Sequence, residues 1–318
     1  MKVSVCITVF NEEKTISKLL DSLLAQKKKP SEIVVVDAVS TDNTLKILRH
    51  YQKKDKRIKV LVQECSRARG RNLAVELAKN EITAMTDAGC VADKNWLKYI
   101  TEPFKQKRVD IVAGFYEMKA QNPAQEAMRV YLGVLPDDFS VDFLPSTRSI
   151  AFRKKAFERL RGFPQKLDTA EDTAFNYKAV DMKLNIARVK KAKVEWGMPE
   201  NLGKFFKKTK DYAKGDVISR IWKYPNKKYT SHNIKAIKII FRYLAGLALL
   251  FLSLYYSPLL YVVLIIISAY LIFSFKKVLT KLGEIIPAIY GIILQITSDF
   301  AVMLGFISGL YETVKKGK

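Results

Sequence analysis

Side chains that can bind ligands recur just after short apolar runs in the first third of the chain. After the runs at 3–9, 33–36 and 82–85 they are Phe10, Asn11, Glu12, Asp37 and Asp87. Carboxylates and amides accept hydrogen bonds from hydroxyl groups, and carboxylates also hold divalent cations. Arg67 and Arg71 follow a further run at 58–62. Because a guanidinium fork matches phosphate oxygens, this stretch offers groups for both hydroxyls and anions.

The elements that must position these residues follow from the sequence pattern. Short β-branched runs alternate with amphipathic stretches through the first 120 residues, which predicts βα units around a largely parallel sheet flanked by helices. Helices are predicted over 12–26 and 45–51 and through Leu73 and Leu77. In open α/β sheets, ligands bind beyond the carboxyl ends of the strands. We therefore expect the residues after these strands to meet at one edge of the sheet.

Beyond residue 120 the pattern weakens, and fewer elements can be assigned. Strands are predicted at 149–152 and 186–189, and a helix is predicted over 171–180. That helix begins with Glu171 and Asp172, and acids are favourable in the first turn of a helix. Taken alone, these two residues predict a solvated helix N-terminus.

Apolar residues are concentrated at the end of the chain. The mean hydropathy of −0.03 hides this, because 243–275 carries no charge and 285–311 carries only Asp299. Runs of this length are typical of membrane spans. The first run is long enough for a hairpin that turns near Ser257-Pro258, whereas the topology of the second stays open. We expect Asp299 to make a polar contact inside the bundle or at a helix end rather than to bind an ion.

The chain carries 55 Lys and Arg against 31 Asp and Glu, a formal net charge of +24. Much of this excess lies in 204–242, where 12 basic and 2 acidic residues are interleaved with aromatic ones. Such a segment suits an anionic membrane surface, and a nucleic acid is the alternative partner. Because the segment abuts an apolar run, we favour the membrane, with the polar part in the cytoplasm. The three cysteines are widely spaced, which argues against a disulfide framework or a zinc site.

Five segments in order carry a resemblance to a known family. They are Phe10-Asn11-Glu12-Glu13, Asp37-Ala38-Val39-Ser40-Thr41-Asp42, Arg67-Ala68-Arg69-Gly70-Arg71-Asn72, Asp87-Ala88-Gly89-Cys90 and Thr169-Ala170-Glu171-Asp172. Together they resemble the motifs of the family 2 glycosyltransferases over roughly residues 1 to 200. The resemblance implies a catalytic domain with the GT-A fold, which is α/β and Rossmann-like, followed here by a helical membrane segment.

The resemblance also implies roles for the site residues. Phe10, Asn11, Glu12, Asp37, Arg67, Arg71 and Asp87 would bind a nucleoside-diphosphate sugar, and Asp172 with Glu171 would supply the base of an inverting transfer. Asp87 would also hold Mg²⁺ or Mn²⁺. Two positions depart from the family pattern, because Ala38 and Gly89 replace the second Asp of its D-D-G-S and D-x-D motifs. We interpret 87–90 as a D-A-G-C variant in which phosphate oxygens and water complete the metal shell.

We therefore predict a membrane-anchored inverting glycosyltransferase of the hexosyltransferase type. Residues 1–203 would be the catalytic domain, 204–238 a basic interfacial segment and 239–318 a multi-pass anchor in the cell membrane, with a hairpin over 239–275 and a third apolar helix over 285–311. The acceptor would be a lipid, a lipid-linked saccharide or another hydroxyl at the cytoplasmic face. A polyprenyl phosphate is the alternative acceptor, because it is already ionised and needs little base.

Three other classes are less well supported. A processive polysaccharide synthase of this family usually has a Q-x-x-R-W motif, which Ser219-Arg220-Ile221-Trp222 does not match. A nucleic-acid binder would explain the positive charge but not the neighbouring apolar runs. A membrane scaffold without catalysis would keep the nucleotide-binding motifs and transfer no sugar.

Overall fold

The computed structural model describes residues 1–167, 169–221 and 232–316. These residues form two compact units. The sheet unit comprises Met1–Met118 and Pro136–Gly197, and the helical unit comprises Lys119–Leu135 and Met198–Lys318. The helical unit thus takes in 119–135, a segment inside the predicted 1–203 domain. Part of the predicted interfacial segment, 222–231, lies outside the described residues.

The sheet unit contains one eight-stranded sheet. In chain order its strands are β1 (Val3–Val9), β2 (Glu32–Asp37), β3 (Ile58–Val62), β4 (Ile82–Met85), β5 (Cys90–Ala92), β6 (Ile111–Lys119), β7 (Ile150–Arg153) and β8 (Ile186–Gly197). In space the order is β3-β2-β1-β4-β7-β6-β8-β5. Strand β1 pairs in parallel with β2 and β4, and β2 pairs in parallel with β3. Strand β7 is antiparallel to both β4 and β6.

The sheet is therefore mixed, whereas a largely parallel sheet was predicted: β1 to β4 pair in parallel, and the pairs β4–β7, β6–β7 and β5–β8 are antiparallel. These strands are short runs of buried apolar residues, as expected for strands covered on both faces. Each one is followed by a helix or a turn on the way to the next. The antiparallel half is assembled from strands that are distant in sequence. The strands predicted at 149–152 and 186–189 correspond to β7 and the first part of β8, but no local pattern could have predicted their pairing.

The helices lie in both units. They are α1 (Ile16–Leu24), α2 (Thr44–Lys54), α3 (Arg67–Leu77), α4 (Trp96–Thr101), α5 (Pro123–Leu132), α6 (Lys154–Arg159), α7 (Glu171–Asp181), α8 (Leu202–Ile218), α9 (His232–Leu252), α10 (Pro258–Leu282) and α11 (Ile285–Lys316). Helix α1 buries Ile16, Leu19, Leu20 and Leu23, the single face that its 3.6-residue period creates. It begins later than the predicted residue 12, because Glu12 and Thr15 belong to the turn before it.

Helix α3 approaches strand β1 at Gly70. A Cβ atom at that position would lie 2.5 Å from Cγ2 of Thr8, well inside van der Waals contact. The absence of a side chain at Gly70 therefore lets the helix backbone pack directly on the strand. Asn72 then fastens the other side of α3, because its side chain donates to the carbonyl of Phe163 and accepts from its N–H, both at 2.9 Å.

In the helical unit, α11 packs closely on α8. Gly305 and Gly309 lie one turn apart on α11, and Cβ atoms there would come within 2.3 Å of the Lys210 carbonyl and 2.7 Å of Val217 Cβ. Small residues at this spacing allow two helices to approach closely. Val217 and Phe306 are buried in the same apolar cluster between these helices. The apolar side of α8 is therefore covered, at least in part, by α11.

Two helices of the described chain are long and apolar enough to cross a membrane. They are Pro258–Leu282, with a mean hydropathy of 2.4, and Ile285–Lys315, with 1.6. Helix α10 is mostly exposed, whereas α11 is nearly half buried. Helix α9 ends at Leu252 and α10 begins at Pro258, beside the predicted turn at Ser257-Pro258, but α9, the first half of the predicted hairpin, is not one of the two candidate spans in the described residues.

Asp299 is buried on α11, where donors from three helices converge on its carboxylate. Arg242 of α9 and Tyr270 of α10 donate to Oδ2, the tyrosine at 2.6 Å. Gln295 of the same helix donates to Oδ1 at 2.9 Å. The predicted polar contact inside the bundle is confirmed, and the contact holds the three helices together.

Candidate functional site

The loops that follow β1 and β2 are joined by hydrogen bonds. The N–H of Ser40 donates to Asp37 Oδ1 at 2.7 Å, and the N–H of Asn11 donates to Ser40 Oγ at 3.0 Å. Asn11 Oδ1 in turn accepts from the N–H of Thr41 at 2.8 Å. Asn11 has a φ of 55°, in the left-handed region that Asn tolerates better than most residues. The first role of Asn11 is thus to hold the two strand ends together.

Asp37 carries a buried carboxylate with one unsatisfied oxygen. Its side chain has 0% exposure, and Oδ1 is bonded to Ser40. Among the described residues, Oδ2 has no hydrogen-bond partner, and neither does Oγ1 of nearby Thr8 on β1. A buried acceptor without a partner is rare in a folded protein and needs an explanation. A ligand hydroxyl or N–H that reaches Asp37 would supply the missing donor.

Glu12 is held in place beside these loops. Its N–H donates to Thr44 Oγ1 at 2.7 Å, and its Oε2 accepts from Thr15 Oγ1 at 2.5 Å. Burial raises the pKa of the Glu12 carboxyl above its usual range, and the negative charge of Asp87 acts in the same direction. The Glu12 carboxyl is therefore poorly solvated.

Arg71 connects the end of β4 to the start of α7. Its Nη2 bonds to Asp87 Oδ1 at 2.8 Å, and its Nη1 bonds to Glu171 Oε1. The Arg71 side chain is only 5% exposed. The structure thus brings together three of the predicted site residues that are separated by up to 100 positions in sequence.

The charges in this cluster act on one another. Burial would raise the pKa of Asp87, but the guanidinium groups of Arg71, Arg148 and Arg67 hold it below its usual range. Burial raises the pKa of Glu171, and the neighbouring Arg71 only partly offsets that effect. The two carboxylates that share Arg71 therefore have pKa values shifted in opposite directions, that of Asp87 downward and that of Glu171 upward.

Helix α7 presents Asp172 next to this cluster. Ala170 just before the helix has a φ of 62°, a left-handed turn that starts the helix abruptly. Asp172 is half-buried, and its Oδ1 accepts from the N–H of Thr173 at 2.8 Å. Within the described part of the chain, no residue donates a hydrogen bond to Oδ2 of Asp172. The predicted base therefore keeps one oxygen available for a proton.

Arg67 and Phe10 are exposed, as is Asn11. Arg67 is the first residue of α3, and its charge acts on Glu12, Asp87 and Glu171. Phe10 is 57% exposed at the end of β1. An exposed aromatic ring beside a polar pocket suits stacking with a base or a sugar ring.

Sequence reasoning missed Thr147, whose Oγ1 donates to Asp87 Oδ2 at 3.3 Å. Thr147 lies three residues before Ile150, which pairs with Met85 across β4 and β7. The only available signal was this antiparallel pairing, which the sequence did not predict. Thr44, the partner of the Glu12 N–H, was visible only as a residue near a helix start.

The residues around Asp87 can be tested for their fit to a divalent cation. Gly89 supplies no second carboxylate, and no group of three or more His, Cys, Asp or Glu that could hold a metal ion is found in the described ranges. Asp87 Oδ2 accepts only from the Thr147 hydroxyl among the described residues, and the side chain is 31% exposed. Mg²⁺ is commonly held by one or two carboxylates together with substrate phosphates. The site therefore fits a cation that the substrate itself largely coordinates.

The sequence of this chain is similar to a known family model and to known proteins. Residues 4–160 match the family model described as Glycosyl transferase family 2. The chain is 28% identical over 144 residues to Glycosyltransferase GlyG of Streptococcus pneumoniae, covering 45% of this chain and 46% of that protein. It is 30% identical over 193 residues to Poly(ribitol-phosphate) beta-glucosyltransferase of Bacillus spizizenii, covering 56% and 29%. The aligned part thus spans about half or less of the length of these two relatives.

Solved structures extend the likeness over nearly the whole chain. Mannosyltransferase PcManGT from Pyrobaculum calidifontis, in complex with GDP-Man and Mn²⁺, has a TM-score of 0.71 and 18% identity, covering 98% of this chain and 87% of that one. Residues 1–349 of Staphylococcus aureus TarS give a TM-score of 0.53 and 19% identity, covering 100% and 92%. At these identities the likeness shows the fold.

Proposed function

We propose that the chain is a family 2 glycosyltransferase, whose family model matches residues 4–160 and whose fold it shares, and that it transfers a sugar from a nucleoside-diphosphate sugar with inversion. The observation that carries this proposal is the unsatisfied Oδ2 of Asp37, buried between two strand-end loops. A base N–H or a ribose hydroxyl of the donor would donate to it. Phe10, Asn11 and Glu12 line the same strand ends and complete the donor site.

The two arginines of the predicted donor site have different roles in this proposal. Arg67 is exposed and meets the diphosphate as a guanidinium fork. Arg71 is buried and already bonded to Asp87 and Glu171, so it orients these two carboxylates. Asp87 then lies next to the diphosphate, and the charge of Arg71 favours the ionised form of the Asp87 carboxylate.

Asp172 is the general base of the proposed reaction. It takes the proton of the acceptor hydroxyl while that oxygen bonds to C1 of the sugar, and the bond from C1 to the phosphate oxygen breaks on the opposite face. The nucleoside diphosphate leaves with the electron pair.

A divalent cation, Mg²⁺ or Mn²⁺, is part of the proposal. Asp87 Oδ2 and the diphosphate oxygens would hold it, and it would neutralise charge on the leaving group. The residues of this chain hold the donor in place around it.

The acceptor side of the proposal rests on the helical unit. Helices α10 and α11 are apolar enough to cross a membrane, and the described part of 204–238 is rich in lysine. We propose a multi-pass protein of the cell membrane with its sheet unit in the cytoplasm, a basic segment against anionic lipid, and a lipid or lipid-linked hydroxyl as acceptor.

Thermal unfolding in the presence of nucleotide sugars tests the donor class. A ligand that binds only the folded state raises the unfolding temperature. We expect one member of a panel of UDP-glucose, UDP-GlcNAc and GDP-mannose to protect the full chain in detergent. Asp37→Asn should lose that protection, and Asp55→Asn, in a surface ion pair with Arg57, should keep it. Absence of protection by every nucleotide sugar would favour the scaffold.

Transfer assays test the base and the acceptor together. For a hydroxyl acceptor, Asp172→Asn should lower the transfer rate by about 10²–10⁴-fold and leave donor protection intact. Asp181→Asn, at the other end of the same helix, is the matched control and should retain the rate. A phosphate acceptor needs no base, so undiminished transfer by Asp172→Asn onto a polyprenyl phosphate would establish the alternative acceptor.

A further inference from the structure

Helices α9 and α10 bring basic residues together at one end. They are joined by the short segment 253–257 and therefore run antiparallel. The guanidinium of Arg242 on α9 lies 4.8 Å from the ring centroid of Tyr270 on α10. Because seven residues make almost two helical turns, this register sets Lys235, seven residues before Arg242, level with Lys277. The positive charge of Lys235 acts on that of Lys277, in agreement with this register.

The ammonium group of Lys277 is held by neutral groups. Its Nζ donates to Gln295 Oε1 on α11 at 2.9 Å and lies 3.8 Å from the ring centroid of Tyr131 on α5. The Tyr131 hydroxyl donates to the carbonyl of Gly291 at 2.9 Å, which fixes the ring. An ammonium group has three donors, and Gln295 is the one hydrogen-bond acceptor that the described part of the chain gives to Lys277. Two N–H groups of Lys277 are therefore left for a ligand.

The two lysines also lack a counter-ion. Within the described residues, neither Lys235 nor Lys277 forms an ion pair with a carboxylate. The charge of Asp299 acts on Lys277, but both oxygens of Asp299 are already bonded to other donors. Lys277 is partly buried, and a buried charge without a partner is costly. An anion that contacts both lysines would remove that cost and the repulsion between them.

In the proposed membrane placement, Lys277 lies at the depth of lipid phosphates. The part of α10 from 258 to 275 carries no charge, and a helix of that length rises about 27 Å, close to the hydrocarbon thickness of about 30 Å. Lys277 therefore follows directly on the apolar part of the helix. Phe273, one turn earlier, is 54% exposed and would contact acyl chains.

We propose that Lys235 and Lys277 bind the phosphate of an anionic phospholipid at this end of the helix pair. The inference rests on the proposed function for its membrane placement, and it adds a lipid site that uses no residue of the proposed donor site. The phosphate oxygens accept charge-assisted hydrogen bonds from both ammonium groups. The acyl chains lie along the exposed apolar residues of α10. A lipid held in this way fixes the depth of the two helices in the membrane.

Thermal unfolding of the full chain in detergent, with added lipid, tests the site. Phosphatidylglycerol should raise the unfolding temperature, and phosphatidylcholine, whose choline neutralises its phosphate, should raise it much less. Lys235→Met and Lys277→Met should each weaken the apparent affinity for phosphatidylglycerol by about 10–100-fold, the range of a hydrogen bond to a charged group. Lys277→Arg should retain most of the affinity, because it keeps the charge and the N–H donors.

Lys276→Met is the matched control. Lys276 is exposed and lies at the same depth as Lys277, but it points about 100° away around the helix. The variant removes the same charge and should lose at most about fivefold in affinity, the contribution of one basic residue to diffuse attraction by an anionic surface. Equal losses in Lys276→Met and Lys277→Met would mean that the attraction is diffuse, which would overturn the proposal.

Two further arms keep the outcome clear. Lys277 packs between α5 and α11, so the unfolding temperature without lipid measures any loss of stability, and the exposed Lys235 gives a variant that does not depend on it. Equal protection by phosphatidylcholine, or by inorganic phosphate at the same concentration, would overturn the lipid site. Nucleotide-sugar protection of the same sample would then leave the proposed function standing. Lipid protection without nucleotide-sugar protection would instead defeat the proposed donor class and support the lipid site.

Discussion

Two buried arginine–carboxylate clusters in this protein have opposite compositions. In the sheet unit, the single guanidinium of Arg71 bonds to two carboxylates, Asp87 and Glu171. In the helical unit, the single carboxylate of Asp299 accepts from Arg242, Tyr270 and Gln295. The first cluster has an excess of acceptors, and the second has an excess of donors.

The difference separates a site from a structural clamp. Both oxygens of Asp299 are bonded, and a fully satisfied polar network fixes the packing of the elements that carry it. In the same unit, at the end of β2, the buried Oδ2 of Asp37 has no hydrogen-bond partner among the described residues. Unsatisfied acceptors in a rigid setting are what a ligand with donor groups requires. On the proposed function, the same ion-pair chemistry serves folding in one unit and binding in the other.

Arg71→Met should have the largest effect on stability. It leaves the buried Glu171 and the partly exposed Asp87 without their cation, which costs about 3–5 kcal/mol of unfolding free energy, and donor protection should be lost with it. Arg57→Met is the control, because its pair with Asp55 is partly exposed and is worth at most about 1 kcal/mol. Urea unfolding monitored by tryptophan fluorescence measures both. Equal losses would show that the Arg71 cluster is no more critical than a surface pair.

Asp299→Ala should have a smaller effect, confined to stability. The side chain of Arg242 is 42% exposed and can turn to solvent, so we expect a loss of about 1–3 kcal/mol, the cost of unpaired donors. Asn at the same position keeps an acceptor for Tyr270 and should lose less. Thermal unfolding in detergent and nucleotide affinity are the two measurements. If Asp299→Ala abolished nucleotide binding, the distinction between clamp and site would be wrong.

Gly70→Ala tests how tightly the site-bearing helix packs on the sheet. The new methyl group would meet Thr8 Cγ2 at 2.5 Å, so overpacking should cost about 1–3 kcal/mol. Gly89→Ala, where nothing lies within 4 Å, should change stability by no more than about 0.5 kcal/mol. Chemical unfolding of the two variants side by side gives the comparison, and similar values would indicate that α3 can shift away from β1.

Glu12→Gln should have the smallest effect, visible as a change in pH dependence. Burial raises the pKa of Glu12 in the folded state, and the unfolded value is about 4.3. The contribution of Glu12 to the free energy of unfolding is therefore fully present below about pH 4.3. It is lost as pH rises through the pKa of Glu12 in the folded state. Because glutamine does not titrate, Glu12→Gln should not show this fall in the free energy of unfolding. The pKa of Asp87 is lowered, so its contribution is lost in the opposite direction, as pH falls.

Thr15→Val checks the assignment to Glu12. The Thr15 hydroxyl donates to Glu12 Oε2 and opposes the effect of burial on the pKa. Removing it should move the loss of stability to higher pH. Stability curves of the three proteins between pH 3 and pH 8, fitted together, measure the shift. A curve for Thr15→Val that coincides with the wild type would assign the transition to another group.

The parallel half of the fold was predictable from local pattern. Strands β1 to β4 are short β-branched or apolar runs followed by polar turns, and β3 and β4 have the bounds that the sequence predicts. Helix α7 begins at the predicted Glu171. The antiparallel half was only partly visible. Strand β6 is buried along nearly its whole length, so it shows no alternation, and its partners come from distant parts of the chain.

The candidate site, like the fold, was only partly predictable from the sequence. Asn11, Asp37 and Asp87 were predicted because each follows a strand, and parallel strands end at the same edge. The bridge from Arg71 to Glu171 spans 100 positions in sequence, and only packing of α3 and α7 on the sheet creates it. Thr147 and Arg148 reach Asp87 through the pairing of β4 with β7, which no local signal encodes.

The sequence by itself determined the residue types at the strand ends and the segregation of apolar residues into the last helices, because both depend on neighbours within a few positions. The tertiary structure decided which acids share Arg71, which oxygen of Asp37 is left unsatisfied and which donors enclose Asp299. These are outcomes of long-range packing, since burial and partner geometry exist only once distant segments meet. The residue types of the candidate site are therefore set by the local sequence, and their arrangement is set by long-range packing.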